Sequence, residues 1–547
     1  MTILDSPLRI PIPVTDVASF VFTSGTPATR QTPQYFDASN PSKNFSLAQA
    51  EVLVKQIAKG LEVLGLQPSD KVLLYSHNAL FFPVLLWGVL AGRCVFTAVA
   101  GGASVNEVEY QLRDSDAKLI LAGPAQVPIA LDAASRVGLP RDRVYLFCDP
   151  DDISNDSSLP AQLWTRIWRP ADEVRSWSWK RIQTLKEAQE TTAIINYSSG
   201  ITALPKGVEL SHYNIVANSA QLLAKRAIVS NDHKGKSRKE RLDMAGDRWL
   251  APLPMYHAYG QAYYCLNAAC LGAKVFIMKS FNADQFLLYM DIYRINFMAS
   301  VPAIMATLAK QPNTSRYNLR AVETVTSGSA PLSAELGRII ERLYLRPGVT
   351  DDGRSIGWLN PNCAARIEKI EGRDFSGVAP DGVEVGEIWV SGPNVMKGYY
   401  KNPTATKETI VEENGLRWLK TGDIGYFDHK GCIYIVDRLK ELIKVKGLQV
   451  APAELEQYLL THPGVADAAV VGARINDAEY PRAFIVRKNN TVAESELFDM
   501  VKAHFAPHKW LTGGVYFIDQ IPRTGSGKII RRNLPAIDDK SLSRSKL

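Results

Sequence analysis

The run Tyr197-Ser198-Ser199-Gly200-Ile201-Thr202-Ala203-Leu204-Pro205-Lys206-Gly207 carries residue types that hold phosphate. Ser and Thr offer hydroxyls, a Gly-containing turn offers backbone N–H groups, and Lys206 offers a point charge. The apolar run Thr192–Tyr197 ahead of it reads as a strand delivering the loop. It is not a Walker A loop, because GxxxxGK[ST] is absent. A second basic turn, Gly525-Ser526-Gly527-Lys528, sets a lysine behind two glycines that permit close backbone approach. The six cysteines form no CxxC pair and have no His at zinc-finger spacing, so the sequence offers no zinc site.

The first loop closely resembles the signature of the adenylate-forming superfamily, written [ST]SG[ST]TGxPKG. Three further segments resemble that family in order and spacing. Pro254-Met255-Tyr256-His257-Ala258-Tyr259-Gly260 is similar to its acyl-pocket motif. Thr421-Gly422-Asp423, followed by Asp437-Arg438-Leu439-Lys440-Glu441-Leu442-Ile443-Lys444-Val445-Lys446-Gly447-Leu448-Gln449-Val450, is similar to its nucleotide and hinge motifs. Pro522-Arg523-Thr524-Gly525-Ser526-Gly527-Lys528 is similar to its C-terminal lysine motif. The resemblance spans roughly residues 20–535. It is closest to 4-coumarate–CoA ligase-like, luciferase-like members, especially fungal peroxisomal acyl-CoA ligases.

The resemblance implies a two-step ligase using ATP, CoA and Mg²⁺. A carboxylic acid attacks the α-phosphate of ATP, giving acyl-AMP and pyrophosphate; the CoA thiol then displaces AMP. Ser198, Ser199, Gly200, Ile201, Thr202 and Lys206 would hold the outer phosphates. Lys528 would neutralise charge on the carboxylate and α-phosphate. Asp423 would accept from the ribose hydroxyls, and Arg438 would meet ribose or phosphate. Gly328, Ser329, Ala330 and Pro331, in a turn beginning at Ser327, would pack against adenine and the acyl group. His257 and Tyr259 would line the acyl tunnel with Gly328, the histidine as gate or positioning group. Lys440 would be the hinge of a mobile domain. Lys444, Lys446, Gly447, Leu448 and Gln449 would face the CoA channel or the adenylate, according to conformation.

Three departures stand out. Ile201 replaces a hydroxyl residue of the signature, and Ala203 replaces a glycine, which matters if that position needs positive φ. The third is larger. The family carries an aromatic-Gly-x-Thr-Glu run after the adenine turn, where the aromatic stacks on adenine, the Thr meets the α-phosphate and the Glu binds Mg²⁺. Here Leu345-Arg346-Pro347-Gly348-Val349 leads directly to Thr350-Asp351-Asp352-Gly353-Arg354-Ser355-Ile356-Gly357-Trp358 with no such run. Glu341, Asp351 and Asp352 are the nearby acids, and nothing in the sequence makes them substitutes. The metal ligand is therefore unknown, and the expectation is an impaired or inactive chain.

The elements that must carry these motifs follow an α/β pattern. Residues 46–66 read as an amphipathic helix with Ser46 as N-cap. Lys71–Ser76 and Val95–Val99 read as buried strands flanking a helix at Asn78–Leu90. Leu119–Ala122 and Val144–Cys148 continue the alternation, which resumes at Trp249–Pro252, Lys274–Met278 and Phe297–Ser300. Such alternation implies a helix-covered parallel sheet. Short β-type runs follow, from Gly386-Glu387-Ile388-Trp389-Val390 to Cys432–Val436. A small α+β unit then reads as helix Ala451–Leu460, strand Ala466–Val471, helix Glu494–His504 and strand Val515–Ile518. With the resemblance, this gives a large N-terminal domain of helix-covered sheets with a small β-barrel-like subdomain, residues 1–436. A hinge at 437–440, a mobile α+β C-terminal domain at 441–537 and a tail at 538–547 complete it.

The chain has 547 residues, 46% hydrophobic and 22% charged, a composition of globular proteins that excludes a disordered chain or a disulfide scaffold. At roughly 100–200 residues per domain, several domain-sized units fit. The net charge of +7 is mild for this length and does not predict nucleic-acid binding. The basic stretch between Ala224 and Asp247 lacks interleaved aromatics and reads as a solvated loop. No apolar run reaches the length of a membrane span; the longest, Phe81–Gly92, reads as a buried helix. The last residues, Ser545-Lys546-Leu547, form a peroxisomal address read by an import receptor. Three other functions remain open: a luciferase-like oxidative enzyme, an adenylation enzyme loading a carrier protein, and a non-catalytic nucleotide- or acyl-binding paralogue.

Overall fold

The amphipathic helix expected after Ser46 forms over Leu47–Val63, with a complete capping box between Ser46 and Gln49. The computed structural model describes the chain except residues 1–2, 26, 151–160, 199–204, 229–245, 313, 330–331, 333, 345–354, 372–374, 376–378, 381, 440, 446–447, 476–477, 489–491, 525–527 and 535–547. The apolar run becomes helix Phe82–Ala91, every residue of which is buried. It starts later than the expected Asn78, because Pro83 in its first turn suits a helix start. Among the described residues, no helix is long and apolar enough to cross a membrane.

Two sheets carry most of the body. The first has strands in the order Gly398–Tyr399, Gly207–Ser211, Thr192–Tyr197, Val95–Ala100, Lys71–Ser76, Ala117–Ala122, Val144–Leu146 and Gln162–Leu163. It is parallel from Thr192–Tyr197 onward, as the alternating pattern requires. The second runs Thr324–Ser327, Phe297–Ser300, Arg248–Ala251, Lys274–Ile277, Pro33–Asp37 and Asn44–Ser46. Helices between the sheets share one apolar core with them, including Trp87, Trp164, Trp249 and Tyr264. A third, antiparallel sheet takes Ile3–Asp5, Ala364–Glu368, Gly386–Ser391, Leu416–Phe427, Ile410–Glu413 and Ile433–Arg438. It corresponds to the strand-rich region expected there.

The C-terminal part has its own core around Leu455, Val470, Ile485 and Val501. Helices Pro452–Leu460 and Glu494–His504 match the sequence reading closely. The strands run longer than expected: Val465–Ile475 pairs with Ala478–Arg487, and Val515–Phe517 lies parallel to the latter. One expectation is corrected. Ala224–Ile228 is not loop but the end of helix His212–Ile228, because good helix formers there extend the preceding apolar face. The rest of that basic stretch, 229–245, lies outside the described residues.

The second sheet ends in a way that bears on the site. Strand Phe297–Ser300 is buried throughout, but its neighbour Thr324–Ser327 is half-buried and exposed at Ser327. Helix Ala334–Tyr344 follows, as a crossover helix would. No described residue returns from that helix as a strand beside Thr324–Ser327. At the helix end, the buried Tyr344 hydroxyl has no hydrogen-bond partner among the described residues. Ile356 and Trp358, the first large apolar residues after the junction, are 64% and 56% exposed.

Candidate active site

The expected phosphate loop springs from a parallel strand that ends at Tyr197, at the carboxyl edge where open α/β sheets bind ligands. Its base is closed twice: Ser198 N donates to Lys206 O at 2.9 Å, and Lys206 N donates to Ser198 Oγ at 3.1 Å. One helix, Val105–Ser115, grips both ends. Tyr110 Oη donates to Pro205 O at 2.7 Å, and Tyr197 Oη donates to Asp114 Oδ2 at 2.6 Å. Lys206 Nζ lies over the Tyr399 ring, 4.9 Å from its centroid. Ser199, Gly200, Ile201 and Thr202, with the Ala203 departure, lie outside the described residues.

The acyl-pocket motif is fixed by backbone contacts. Asn78 Nδ2 donates to Leu253 O, and Met255 N donates to Asn78 Oδ1. Gly260 allows the turn to close, since a Cβ there would stand 2.3 Å from Pro254 O. The chain then widens into a π-helical stretch, Gln261–Asn267, a form frequent at functional sites. Gln261, buried, exchanges amide hydrogen bonds with Asn196 at 2.9 and 3.2 Å. That pair joins the acyl motif to the strand carrying the phosphate loop. Sequence reasoning missed it, because nothing local in either residue signals a partner so far along the chain.

His257 Nδ1 accepts from Tyr259 N at 3.3 Å. The acceptor role at Nδ1 leaves the neutral ring's proton at Nε2. Burial, then the charge of Lys528, holds His257 below its ordinary value, so it is neutral at pH 7. The Tyr259 hydroxyl and Thr326 Oγ1 are 3.2 Å apart, and burial pushes that phenol far above its usual range. A Cβ on Gly328 would stand 3.3 Å from the Tyr259 ring, so this turn and this tyrosine are in contact. Tyr259 meets Tyr263 edge-on at 5.0 Å, Tyr263 stacks near Phe297 at 5.8 Å, and Phe297 stacks on Trp249 at 4.1 Å. The row closes with Arg226, whose guanidinium lies 4.8 Å from the Phe297 ring centroid and pairs with Asp247.

Ser329, next to Gly328, has φ +75° and a buried hydroxyl with no hydrogen-bond partner among the described residues. A left-handed backbone and an unpartnered donor in one turn are features that cluster at ligand-binding sites. Ala330 and Pro331 lie outside the described residues.

The third sheet supplies the opposite wall. Asp423 and Arg438 face each other across paired strands, with Arg438 Nε 2.9 Å from Asp423 Oδ1. Burial raises the Asp423 carboxyl, while Arg438 and then Lys528 draw it back down. Glu387 holds the turn beneath by accepting from Gly422 N at 3.0 Å and from Trp389 Nε1 at 3.0 Å. Lys528 arrives from the C-terminal part. Its turn is shut by Thr524 N to Lys528 O at 2.8 Å and Lys528 N to Thr524 Oγ1 at 3.1 Å. Burial, then Arg438, lowers its basicity, and Asp423 and Glu441 oppose that. The two parts also touch where Lys310 Nζ donates to Ala466 O at 2.7 Å.

The structure therefore brings His257, Asp423, Arg438 and Lys528 into one cleft, with Tyr259, Gly328 and Ser329 at its side. It does not bring Lys444 or Leu448 there. Both lie on an exposed hairpin, Ile443–Val445 paired with Leu448–Val450, in which Gln449 stands opposite Lys444. Lys440, Lys446, Gly447 and the tail Ser545–Leu547 lie outside the described residues.

Magnesium needs carboxylate oxygens beside the substrate phosphates. Among the described residues, no group of three His, Cys, Asp or Glu could hold a metal, and the Asp423 carboxylate is engaged by Arg438.

Comparison with known proteins agrees over nearly the whole length. The AMP-binding enzyme model matches residues 27–400, and the AMP-binding enzyme C-terminal domain matches 454–528. A phenylacetyl-CoA ligase of Aspergillus niger is 32% identical over 560 aligned positions, covering 97% of this chain and 98% of the relative. That span exceeds the 547 residues of this chain, so the relative has residues with no counterpart here. A putative acyl-coenzyme A synthetase of Emericella nidulans is 35% identical, covering 96% of each. The ATP-bound MatB structure from Rhodopseudomonas palustris superposes with a TM-score of 0.75 at 23% identity, covering 95% of this chain and 98% of that one. The anthranilate CoA ligase AuaEII with anthranoyl-AMP gives 0.77 at 19%, covering 95% and 97%. The chain belongs to the AMP-binding enzyme family, alongside acyl-CoA ligases and 4-coumarate–CoA ligase-like proteins.

Proposed function

We propose that the chain is an AMP-forming acid–CoA ligase whose substrate is an aromatic or fatty carboxylic acid, and whose first half-reaction is impaired. Full-length relatives named as acyl-CoA ligases support the reaction class. The single observation carrying the site assignment is the meeting of Lys528 with His257, Asp423 and Arg438 across two parts of the chain.

In the first step a carboxylate oxygen bonds to the α-phosphorus of ATP and pyrophosphate leaves. Lys528 is positioned to offset the negative charge that gathers at that phosphate. Asp423 accepts from the ribose hydroxyls, with Arg438 sharing its charge. His257, neutral with its proton on Nε2, orients the acid by donating to it. Tyr259 and Gly328 form the flat side of the acyl site. In the second step the CoA thiol sulfur bonds to the acyl carbon, and AMP leaves. Lys528 faces the cleft in this structure and the Lys444 hairpin is exposed, which fits the first step. Rotation about Lys440 would exchange the two faces for the second.

The impairment rests on the crossover from which no described residue returns as a strand beside Thr324–Ser327. By resemblance, that strand would deliver the aromatic, Thr and Glu that meet adenine, phosphate and Mg²⁺. The same observation favours a second reading, a nucleotide- or acyl-binding paralogue without turnover. A panel of aromatic and fatty acids with ATP, Mg²⁺ and CoA, run on this chain and on one with the segment restored, tests the proposal. Acyl-CoA and AMP from the restored chain, and much slower formation by the native one, are expected. Absence of AMP from both would overturn the ligase reading, and calorimetric binding of an acyl-adenylate mimic by the inactive protein would establish the paralogue. The terminal Ser-Lys-Leu supports a peroxisomal location, tested by imaging the chain with and without Leu547.

A further inference from the structure

Lys528 is tied down three residues beyond the cleft. The Arg531 guanidinium pairs with Glu441 and with Glu456, each at 2.8 Å, and its Nε donates to Val470 O at 3.1 Å. Glu456, 8% exposed, also accepts from Val470 N at 2.8 Å. Asp437, 4% exposed, stands at the end of the last strand of the third sheet. Its Oδ1 accepts from Arg438 N at 2.6 Å, and its Oδ2 accepts from Ala453 N at 3.1 Å in the first turn of helix Pro452–Leu460. A residue before Lys440 thus caps a helix after it.

The charged groups acting on Asp437 are Glu441 on the turn, Glu456 on the helix and Arg531 on the C-terminal turn; Arg438 reaches it only through its backbone N–H. Arg438 is itself committed to Asp423. One guanidinium therefore serves three crowded carboxylates, and burial disfavours the charge left over. Desolvation pushes Asp437 up to about 6 and Glu456 up to about 7.

We propose that the Asp437–Glu441–Glu456–Arg531 cluster is a positioning device for Lys528, one that frees the C-terminal domain as Asp437 loses its proton. The proposal rests on the domain-rotating reading of the ligase. Rotation about Lys440 would pull helix Pro452–Leu460 off Asp437 and return that carboxyl to its ordinary value of 3.8. Protonation then favours the arrangement with Lys528 in the cleft. The preference is full below that ordinary value and is lost as pH rises through about 6. Acid favours the geometry of the first half-reaction, and loss of the proton favours release.

Spin labels on Thr307→Cys and Lys488→Cys, with the partly exposed Cys148, Cys270 and Cys432 replaced by Ser, report the distance between the two parts. The ratio of the present arrangement to all others should rise about tenfold from pH 7.5 to pH 5. Asp437→Asn, which keeps one of the two acceptor contacts through its single side-chain oxygen and cannot ionise, should hold the ratio constant over that range, whatever its absolute value. An unchanged distance distribution in the parent, or an Asp437→Asn chain with the parent's pH response, overturns the proposal. Turnover is not read, so failure of the acid panel would sink the ligase reading and leave this result interpretable.

Discussion

On one side of the cleft, Asp423, Arg438 and Lys528 lie within electrostatic reach of one another, each held by a hydrogen bond or a closed turn. On the other, Thr324–Ser327 is the last described strand of its sheet, no described residue after the crossover helix pairs beside it, and the Ser329 hydroxyl has no partner among the described residues. On the proposed reading, the first side would grip ribose and the acyl–phosphate junction, and the second would meet adenine. On that reading, one binding wall stays fully organised whatever the state of the wall facing it. The two walls rest on different sheets with separate cores, so damage to one need not propagate to the other.

The strongest way to break that contrast is to rebuild the poorer wall. An aromatic-Gly-x-Thr-Glu segment taken from a relative and set between Tyr344 and Ser355 should raise ATP–pyrophosphate exchange by roughly 10²-fold or more. Exchange no faster than in the native chain would mean that the second wall is not deficient. Next in size, Lys528→Ala in the rebuilt chain should slow exchange about 10²-fold. Thioester formation from supplied acyl-adenylate should stay within a few-fold, and equal losses in both steps would show a general structural role instead.

Asp423→Asn should raise the KM for ATP about tenfold, the effect of weakening one charge-assisted hydrogen bond. A KM left unchanged would remove Asp423 from the nucleotide side. A titration effect sharpens the electrostatic side of the comparison. By NMR, His257 should titrate below the ordinary histidine value of 6.5, because burial and Lys528 both disfavour its charged form. Lys528→Ala should move that midpoint upward while leaving the burial effect; a fixed midpoint would separate the two residues. The smallest change is Gly328→Ala. Its methyl would sit 3.3 Å from the Tyr259 ring, so bulky acids should lose a few-fold in kcat/KM relative to small ones. Equal losses for both would place Gly328 away from the acyl group.

Much of the frame was legible because it rests on local chemistry. Ser46 announces its helix by a capping box, and the unbroken apolar run around Trp87 can only be buried. Strand Ala478–Arg487 was not read from sequence, since Pro481 and its charged neighbours break the pattern a strand should show. The ends of helix His212–Ile228 were obscured by the basic residues that follow. At the site, residues such as His257, Asp423 and Lys528 were legible because their segments resemble motifs of a known family. Their supports were not. The Asn196–Gln261 amide pair and the Asp437–Ala453 cap join residues whose meeting is decided by tertiary packing alone.

The strand Thr324–Ser327, the last described one on its side of the sheet, also matters before any substrate binds. Wherever such an edge is open while the chain is being made, it offers another chain a template for pairing. Ile356 and Trp358, solvent-exposed further along the chain, add sticky surface during synthesis. The chain is thus expected to lean on chaperones as it folds, whatever its catalytic rate.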